Sequence, residues 1–407
     1  MELKIKDQLT AFAIIDVALF PILPFISIIL MILLIINQRS IGNKVFQTVF
    51  LMLSVFLGLI NMTKIPESDL KNYYEIYTEA GNMPFINYIF LTGKEPAFFI
   101  YNYIVYHLAS INVQHYILIT TVISYMFIFN SIYKLTNLYT DNCNIILFAI
   151  SLAAFFPQLF SLSAHLIRQF MAASIIMYAI ILKVFYNRRI WYYLIIAAFI
   201  HTTVLFFVPL IFINLLKDKI KLKTFFKLSI ALVLIIAFIT LIFSKIVSTL
   251  TYNPFLYALS YSLLRMNEVS EYKAELIPLI GYILIVFLFI ILVRTQYNIT
   301  LWRSIETRQG LIHFANIFFI FSIFILTNFM NDEMAIRYFF YAYFFFPLIF
   351  PLILLRNSLV YRMTRFYISL FIIVFFFFKI QNGAWSYAPI KNILFRDIFY
   401  FTTYQIS

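Results

Sequence analysis

Apolar runs long enough to cross a bilayer recur from one end of this chain to the other, separated by short polar stretches. Twelve segments stand out: Ala11–Ile36, Val45–Ile60, Pro96–Ile111, Tyr116–Tyr133, Ile145–Phe160, Leu166–Val184, Ile190–Leu215, Phe225–Val247, Leu276–Val293, Leu311–Phe329, Tyr338–Leu355 and Phe366–Phe378. A helical span needs about 20 predominantly apolar residues. The strands of a membrane β-barrel would instead alternate apolar and polar positions over about ten residues, a pattern these runs lack. The expectation is an all-α, polytopic integral membrane protein of about 10–12 transmembrane helices, two of them candidate re-entrant segments.

Composition agrees with that class. Of 407 residues, 63% are hydrophobic and 12% charged, against about 25% charged in a soluble domain. Residues 1–407 read as a single transmembrane domain, with 61–95 as an external loop and 381–407 as an interfacial tail. The net charge of +13 is a matter of topology and does not call for a nucleic-acid partner, because most Lys and Arg residues sit in short loops, as cytoplasmic loops do. A lone Cys143 leaves no internal disulfide and no thiolate cluster. The first run, Ala11–Ile36, is too long for a signal-peptide core and lacks a small-residue cleavage site, so it reads as a retained span.

Loop charge orients the chain. Basic stretches occur at Arg39–Lys44, Arg188–Arg189, Lys217–Lys223, Arg294–Arg308 and Arg356–Arg365, whereas Asn61–Glu95 carries Glu67, Asp69, Glu75, Glu79 and Glu95 against Lys64, Lys71 and Lys94. Strict alternation cannot put both Arg188–Arg189 and Lys217–Lys223 inside, since one segment separates them. Making Pro96–Ile111 and Ile190–Leu215 re-entrant repairs this, because irregular backbone at membrane depth is tolerated where it lines a cavity. Loop charge favours that arrangement, with ten true spans and Asp69, Glu95, Arg168 and Arg337 toward the outer face. Twelve plain spans would put Arg168 inside and scatter the set.

Ionisable groups inside apolar segments are costly, roughly 2.5–3.5 kcal/mol for Arg on insertion scales. Arg168 opens one long apolar helix, followed by Gln169, and His201 interrupts the next one at His201-Thr202-Thr203. Taken alone, a snorkelling Arg and a packed His account for both equally well. Asp69, Tyr73, Tyr74 and Tyr77 make an acidic, aromatic stretch suited to sugar hydroxyls and pyranose faces, or an ordinary solvated loop. Glu95-Pro96 reads as a helix start, with the acid complementing the dipole and proline fitting the first turn. Arg337-Tyr338 heads a late segment, where Asp332 or Glu333 could pair with the arginine. Asp16, near the start of the first segment, reads as reaching the interface. The remaining histidines, His107, His115, His165 and His313, have no metal-ligand spacing, and Walker A, H-E-x-x-H and G-x-G-x-x-G sequences are absent. The Asn298-Ile299-Thr300 sequon falls in a loop placed inside. The tail from Gln381 reads as an interfacial segment held by Trp385, Tyr387 and Tyr400.

Taken together and in order, several of these pieces resemble the EpsG-type, Wzy-like family of bacterial polysaccharide polymerases. They are Asp69 with Tyr73, Tyr74 and Tyr77; Glu95-Pro96 with Phe98; Arg168-Gln169 with Ala172; His201 with Thr203, where the family more often has Ser; and Arg337-Tyr338. The resemblance covers roughly residues 60 to 340. It implies joining of undecaprenyl-pyrophosphate-linked oligosaccharide repeats at the outer face of the inner, cytoplasmic membrane, for O-antigen, capsule or exopolysaccharide. It also implies a chain-length-regulating co-polymerase as a partner. Under it, Arg168 and Arg337 stabilise the departing pyrophosphate, since the guanidinium pairs bidentately with phosphate. Gln169, Tyr73 and Tyr338 are then substrate-binding residues. His201, followed by Glu95 and Asp69, is the candidate for taking the acceptor proton. No cofactor and no metal need be invoked. A lipid-linked oligosaccharide flippase and a glycan ligase are the alternatives; no repeat between halves points to the first, and no large late external loop to the second.

Overall fold

The computed structural model describes residues 15–36, 42–67, 69–91, 95–109, 112–217, 305–327, 332–355, 358–382 and 387–404, with the isolated positions 227, 230, 231, 234 and 238. Among them there is no strand. The helices are α1 (Pro24–Ile36), α2 (Asn43–Met62), α3 (Asp69–Glu79), α4 (Phe85–Ile89), α5 (Pro96–Ala109), α6 (Val113–Asn137), α7 (Cys143–Ala154), α8 (Pro157–His165), α9 (Ile167–Tyr186), α10 (Trp191–Ile200), α11 (Phe207–Phe212), α12 (Ile305–Thr327), α13 (Asp332–Ile353), α14 (Leu359–Asn382), α15 (Ile390–Phe395) and α16 (Ile398–Thr403). Four of them, α2, α6, α9 and α14, are long and apolar enough to cross a membrane, and α7 with α8 makes a fifth if that bent pair is one span. The protein is an all-α, multi-pass membrane protein.

Several boundaries differ from those the hydrophobic pattern suggests, each for a local reason. The run Ala11–Ile36 is not continuous: a turn at 20–22, which contains Pro21, interrupts it before the helix that Pro24 opens, and the Ser27 hydroxyl donates to the Asp16 carbonyl across the break. Proline removes a ladder donor and clashes with the preceding turn. Ile145–Phe160 is likewise bent by 48° at Phe155-Phe156, just before Pro157. The stretch read as the loop 61–95 folds into α3 and α4, because Leu70, Tyr73, Tyr74 and Tyr77 recur at helical spacing and are buried on one face of α3. The α13 helix starts at Asp332, so Arg337 lies a turn and a half inside it and not at its head. The segment Leu276–Val293, most of Phe225–Val247, the sequon and Trp385 lie outside the described residues.

The chain forms two compact units. The first comprises residues 1–81, 104–171 and 354–407. Its centre is the antiparallel pair α2 and α6, tied near one end by the Gln47 amide donating to Asn130 Oδ1 (2.8 Å) and near the other by the Asn61 amide donating to Thr121 Oγ1 (2.9 Å). A Cβ at Gly58 would stand 3.1 Å from the Leu118 carbonyl oxygen, so the close approach of these backbones needs a glycine, as is common between membrane helices. Edge-on aromatic contacts pack α14 against this pair's neighbours, with Phe377 on Phe25 (5.3 Å) and Phe376 on Phe155 (5.4 Å). The tail folds back as α15 and α16: the Ala388 N–H donates to Thr63 Oγ1, the Tyr387 hydroxyl to Asn61 Oδ1, and the Gln114 amide to the Tyr404 carbonyl. Tyr387 thus serves as an anchor, through a hydrogen bond into the helix ends.

The second unit comprises residues 82–103 and 172–353. Its core is an aromatic stack in which Phe207 meets Phe321 (5.0 Å) and Tyr341 (5.0 Å), while Tyr338 meets Phe324 edge-on (5.1 Å). The α12 helix ties down the chain after the His201 break, with His313 Nε2 donating to the Leu210 carbonyl (3.1 Å) and the Asn316 amide to the Leu216 carbonyl (2.7 Å).

Candidate functional site

In the second unit, the expected interruption at His201 is present. Helix α10 ends at Ile200, His201 is extended (φ −156°, ψ 125°), and a 3-10 turn covers Thr202–Phe206. The imidazole is the cap of that turn. The Thr203 backbone N–H donates to Nδ1 (3.3 Å), and the Thr203 hydroxyl stands 2.8 Å from the same atom. A nitrogen that accepts an N–H carries no proton of its own, so the neutral ring is protonated on Nε2. The Thr203 hydroxyl then also donates to Nδ1, and the Tyr341 hydroxyl, 2.6 Å from Thr203 Oγ1, donates to Thr203.

The other ring nitrogen faces a carboxylate. His201 Nε2 stands 3.8 Å from Glu95 Oε1, and both side chains are almost wholly buried. Glu95 precedes α5, and its carbonyl accepts from the Phe98 N–H (3.0 Å). Its φ of 52° is in the left-handed region, which costs an ordinary residue roughly 1–2 kcal/mol. Strain of this kind concentrates where a side chain must be aimed. Tyr338 lies in the aromatic core of the same unit, 5% exposed. The Arg337 side chain lies outside the described residues.

In the first unit, Arg168 is the second residue of α9, directly after the α8–α9 break at Leu166. Its guanidinium lies over the Tyr73 ring at 5.4 Å, a cation–π distance. A cation in the first turn of a helix adds to the positive end of the helix dipole, so this spot is electropositive twice over and suited to an anion. Gln169 is buried beside it, while Asp69 is exposed at the start of α3. The structure thus brings Glu95 to His201 and Tyr73 to Arg168.

Two further residues carry chemistry that the sequence reading passed over. Lys64, just after α2, is completely buried, with Nζ 2.6 Å from Nε2 and 3.1 Å from Nδ1 of His165 at the end of α8. Burial pushes its ammonium down to about 7, against the pull of Glu67. Two residues, Leu166 and Ile167, separate His165 from Arg168 across the helix break, so Lys64 and Arg168 flank one turn of chain. The signal was present in the sequence as His165-x-x-Arg168 and a lysine closing an apolar run, but it is legible only once histidines are considered as hydrogen-bond partners as well as metal ligands.

The fold and these groups define a class: a multi-pass helical membrane protein with a buried acid–imidazole pair at a broken helix and a cationic helix start. The chain belongs to the EpsG family, which matches residues 43–392; EpsG-like proteins are Wzy-type polysaccharide polymerases, and a polysaccharide polymerase-type role follows for this protein. No curated protein and no solved structure matches the chain.

Proposed function

We propose that this protein polymerises undecaprenyl-pyrophosphate-linked oligosaccharide repeats into O-antigen, capsule or exopolysaccharide at the outer face of the bacterial inner membrane. An acceptor hydroxyl of the incoming repeat attacks the anomeric carbon at the reducing end of the growing chain. The carbon–oxygen bond to the lipid pyrophosphate breaks, its electron pair leaves with the pyrophosphate, and the acceptor proton goes to a base. The transition state has oxocarbenium character.

The observation that carries this reading is the arrangement around His201. With Nδ1 accepting from Thr203 and Nε2–H turned to Glu95, the carboxylate takes the acceptor proton in this reading, and the imidazole steadies its charge. Glu95 is therefore the base in this proposal, ahead of His201 and Asp69. Arg168, with Gln169 and Tyr73 around it, meets the departing pyrophosphate, and Lys64 supplies a second positive charge nearby. Arg337 has the same proposed role, and Tyr338 follows it in the chain as a substrate-binding candidate. Fixed cations in a water-poor site stabilise developing charge more strongly than they would in water. A co-polymerase that sets chain length remains the proposed partner.

Deleting the gene and running the surface glycan on a gel tests the reading. A single repeat on its lipid or cap, with the ladder restored by wild type and not by well-expressed Glu95→Gln or Arg168→Ala, supports it. Long polymer still attached to lipid identifies a ligase instead, and repeats trapped on the cytoplasmic face identify a flippase.

A further inference from the structure

The first unit contains a trough that the proposed reaction does not use. It runs between the C-terminal half of α1, the N-terminal half of α7 and the N-terminal half of α14, with a volume of about 490 Å³. Its walls are aliphatic and aromatic, including Leu33, Leu147, Phe366 and Leu370, and Leu33, Phe366 and Leu370 are exposed. At one end stand Arg362 and Arg365. Among the described residues lining the trough there is no Asp or Glu. Arg365 is only 3% exposed, and its Nη1 donates to the Leu354 carbonyl (2.6 Å), which fixes the guanidinium in place. Arg362, one turn earlier, is exposed.

The arginine end can be located along the membrane normal within this unit. It coincides with the end of α1 (Ile36), the start of α7 (Asn144) and the start of α14 (Leu359). Five residues of chain connect α7 to the end of α6, and six connect α1 to the start of α2, so Lys134 and Lys44 belong to the same end. Lys64 lies at the opposite end of α2, whose 20 residues span about 30 Å, the thickness of a hydrocarbon core. The trough's cationic end and the Lys64–Arg168 end therefore face opposite leaflets, and the positive-inside rule makes the former cytoplasmic.

We infer that this trough is a binding site for an anionic phospholipid of the cytoplasmic leaflet, its phosphate on Arg362 and Arg365 and an acyl chain along α1, α7 and α14. Charge complementarity selects the headgroup, since two arginines stand at one end of a trough whose described lining residues include no Asp or Glu. The exposed apolar walls accept a chain that a soluble phosphate lacks. Basic pockets between helices on the cytoplasmic side are the setting in which such lipids are held. The inference does not depend on the polymerase reading.

The test uses the full chain in mild detergent, with retained lipid counted by native mass spectrometry after titration with phosphatidylglycerol, phosphatidylcholine or undecaprenyl phosphate. The expected result is preferential retention of phosphatidylglycerol, weakened about fivefold in Arg362→Ala, the effect of about one basic residue at a membrane surface. Arg365→Ala removes a buried contact as well as a charge and can disturb folding, so Arg362→Ala is the primary variant, and Lys391→Ala, an exposed charge in the tail, is the control expected to change nothing. Ser369→Trp keeps both arginines and fills the trough, and it is expected to lower retention as well. Equal retention of both lipids overturns the inference. So does an unchanged count in Ser369→Trp, which would mean adsorption of headgroups to a basic surface, or preferential retention of undecaprenyl phosphate over phosphatidylglycerol.

Discussion

Thr203 holds His201 through a single ring nitrogen: its backbone N–H donates to Nδ1 over 3.3 Å and its hydroxyl lies 2.8 Å from the same atom. The consequence falls on Glu95, which faces the protonated Nε2. Glu95→Gln removes the base and is expected to reduce polymer formation by about 10²–10⁴-fold. His201→Asn keeps a polar group beside the carboxylate and is expected to lose less. Initial rates of chain elongation on membranes from each strain check the order. An equal loss, or a larger one for His201→Asn, would return the base to histidine.

The left-handed backbone at Glu95 yields a second outcome. Glycine adopts φ 52° without the Cβ penalty, so Glu95→Gly is expected to be inactive and yet no less stable than wild type, with a gain of up to about 1 kcal/mol. Thermal melts of the two purified proteins measure this. A marked loss of stability in Glu95→Gly would mean that the side chain is structural.

Removing the Thr203 hydroxyl leaves the buried Tyr341 hydroxyl without its acceptor. Thr203→Val keeps the backbone N–H and the branched shape but is expected to cost about 1–3 kcal/mol. Adding Tyr341→Phe should recover much of that loss, and Thr203→Ser should be close to neutral. A double-mutant cycle from denaturation midpoints decides it, and additive losses would contradict the chain Tyr341–Thr203–His201.

Much of this architecture was legible in the hydrophobic pattern, because apolar length is what a bilayer demands. The His201 break could be read from the polar group it places within an apolar run. Other features could not. The turn at 20–22 and the 48° bend at Phe155-Phe156 come from prolines that a window of mean hydropathy averages away. The face of α3 that buries Tyr73, Tyr74 and Tyr77 was hidden behind the acidic residues alternating with it. Neither the pairing of Lys64 with His165, 101 positions apart, nor that of Glu95 with His201 is written in local spacing. Tertiary packing alone brings such residues together.

Lys64 makes stability depend on pH. Its ammonium is pushed down to about 7 in the folded protein, against about 10.4 in an unfolded chain. Between those values the unfolded chain binds the additional proton, so stability rises as pH increases from about 7 to about 10, and the cost is full below 7. Lys64→Met is expected to raise the melting temperature at pH 6 to 7 (about the window in which the charged form is buried) and to flatten this dependence. Melts across that range test it; if Lys64 also faces the pyrophosphate as proposed, the same variant elongates chains more slowly despite being more stable.

The most direct test of the central proposal is reconstitution. The purified full-length protein is placed in liposomes with a lipid-pyrophosphate-linked repeat, and both glycan length and released lipid pyrophosphate are measured. The account predicts a ladder of repeats with one lipid pyrophosphate released for each bond formed, and neither product with Glu95→Gln. Movement of the intact lipid-linked repeat across the bilayer, with no new glycosidic bond and no released pyrophosphate, would contradict it.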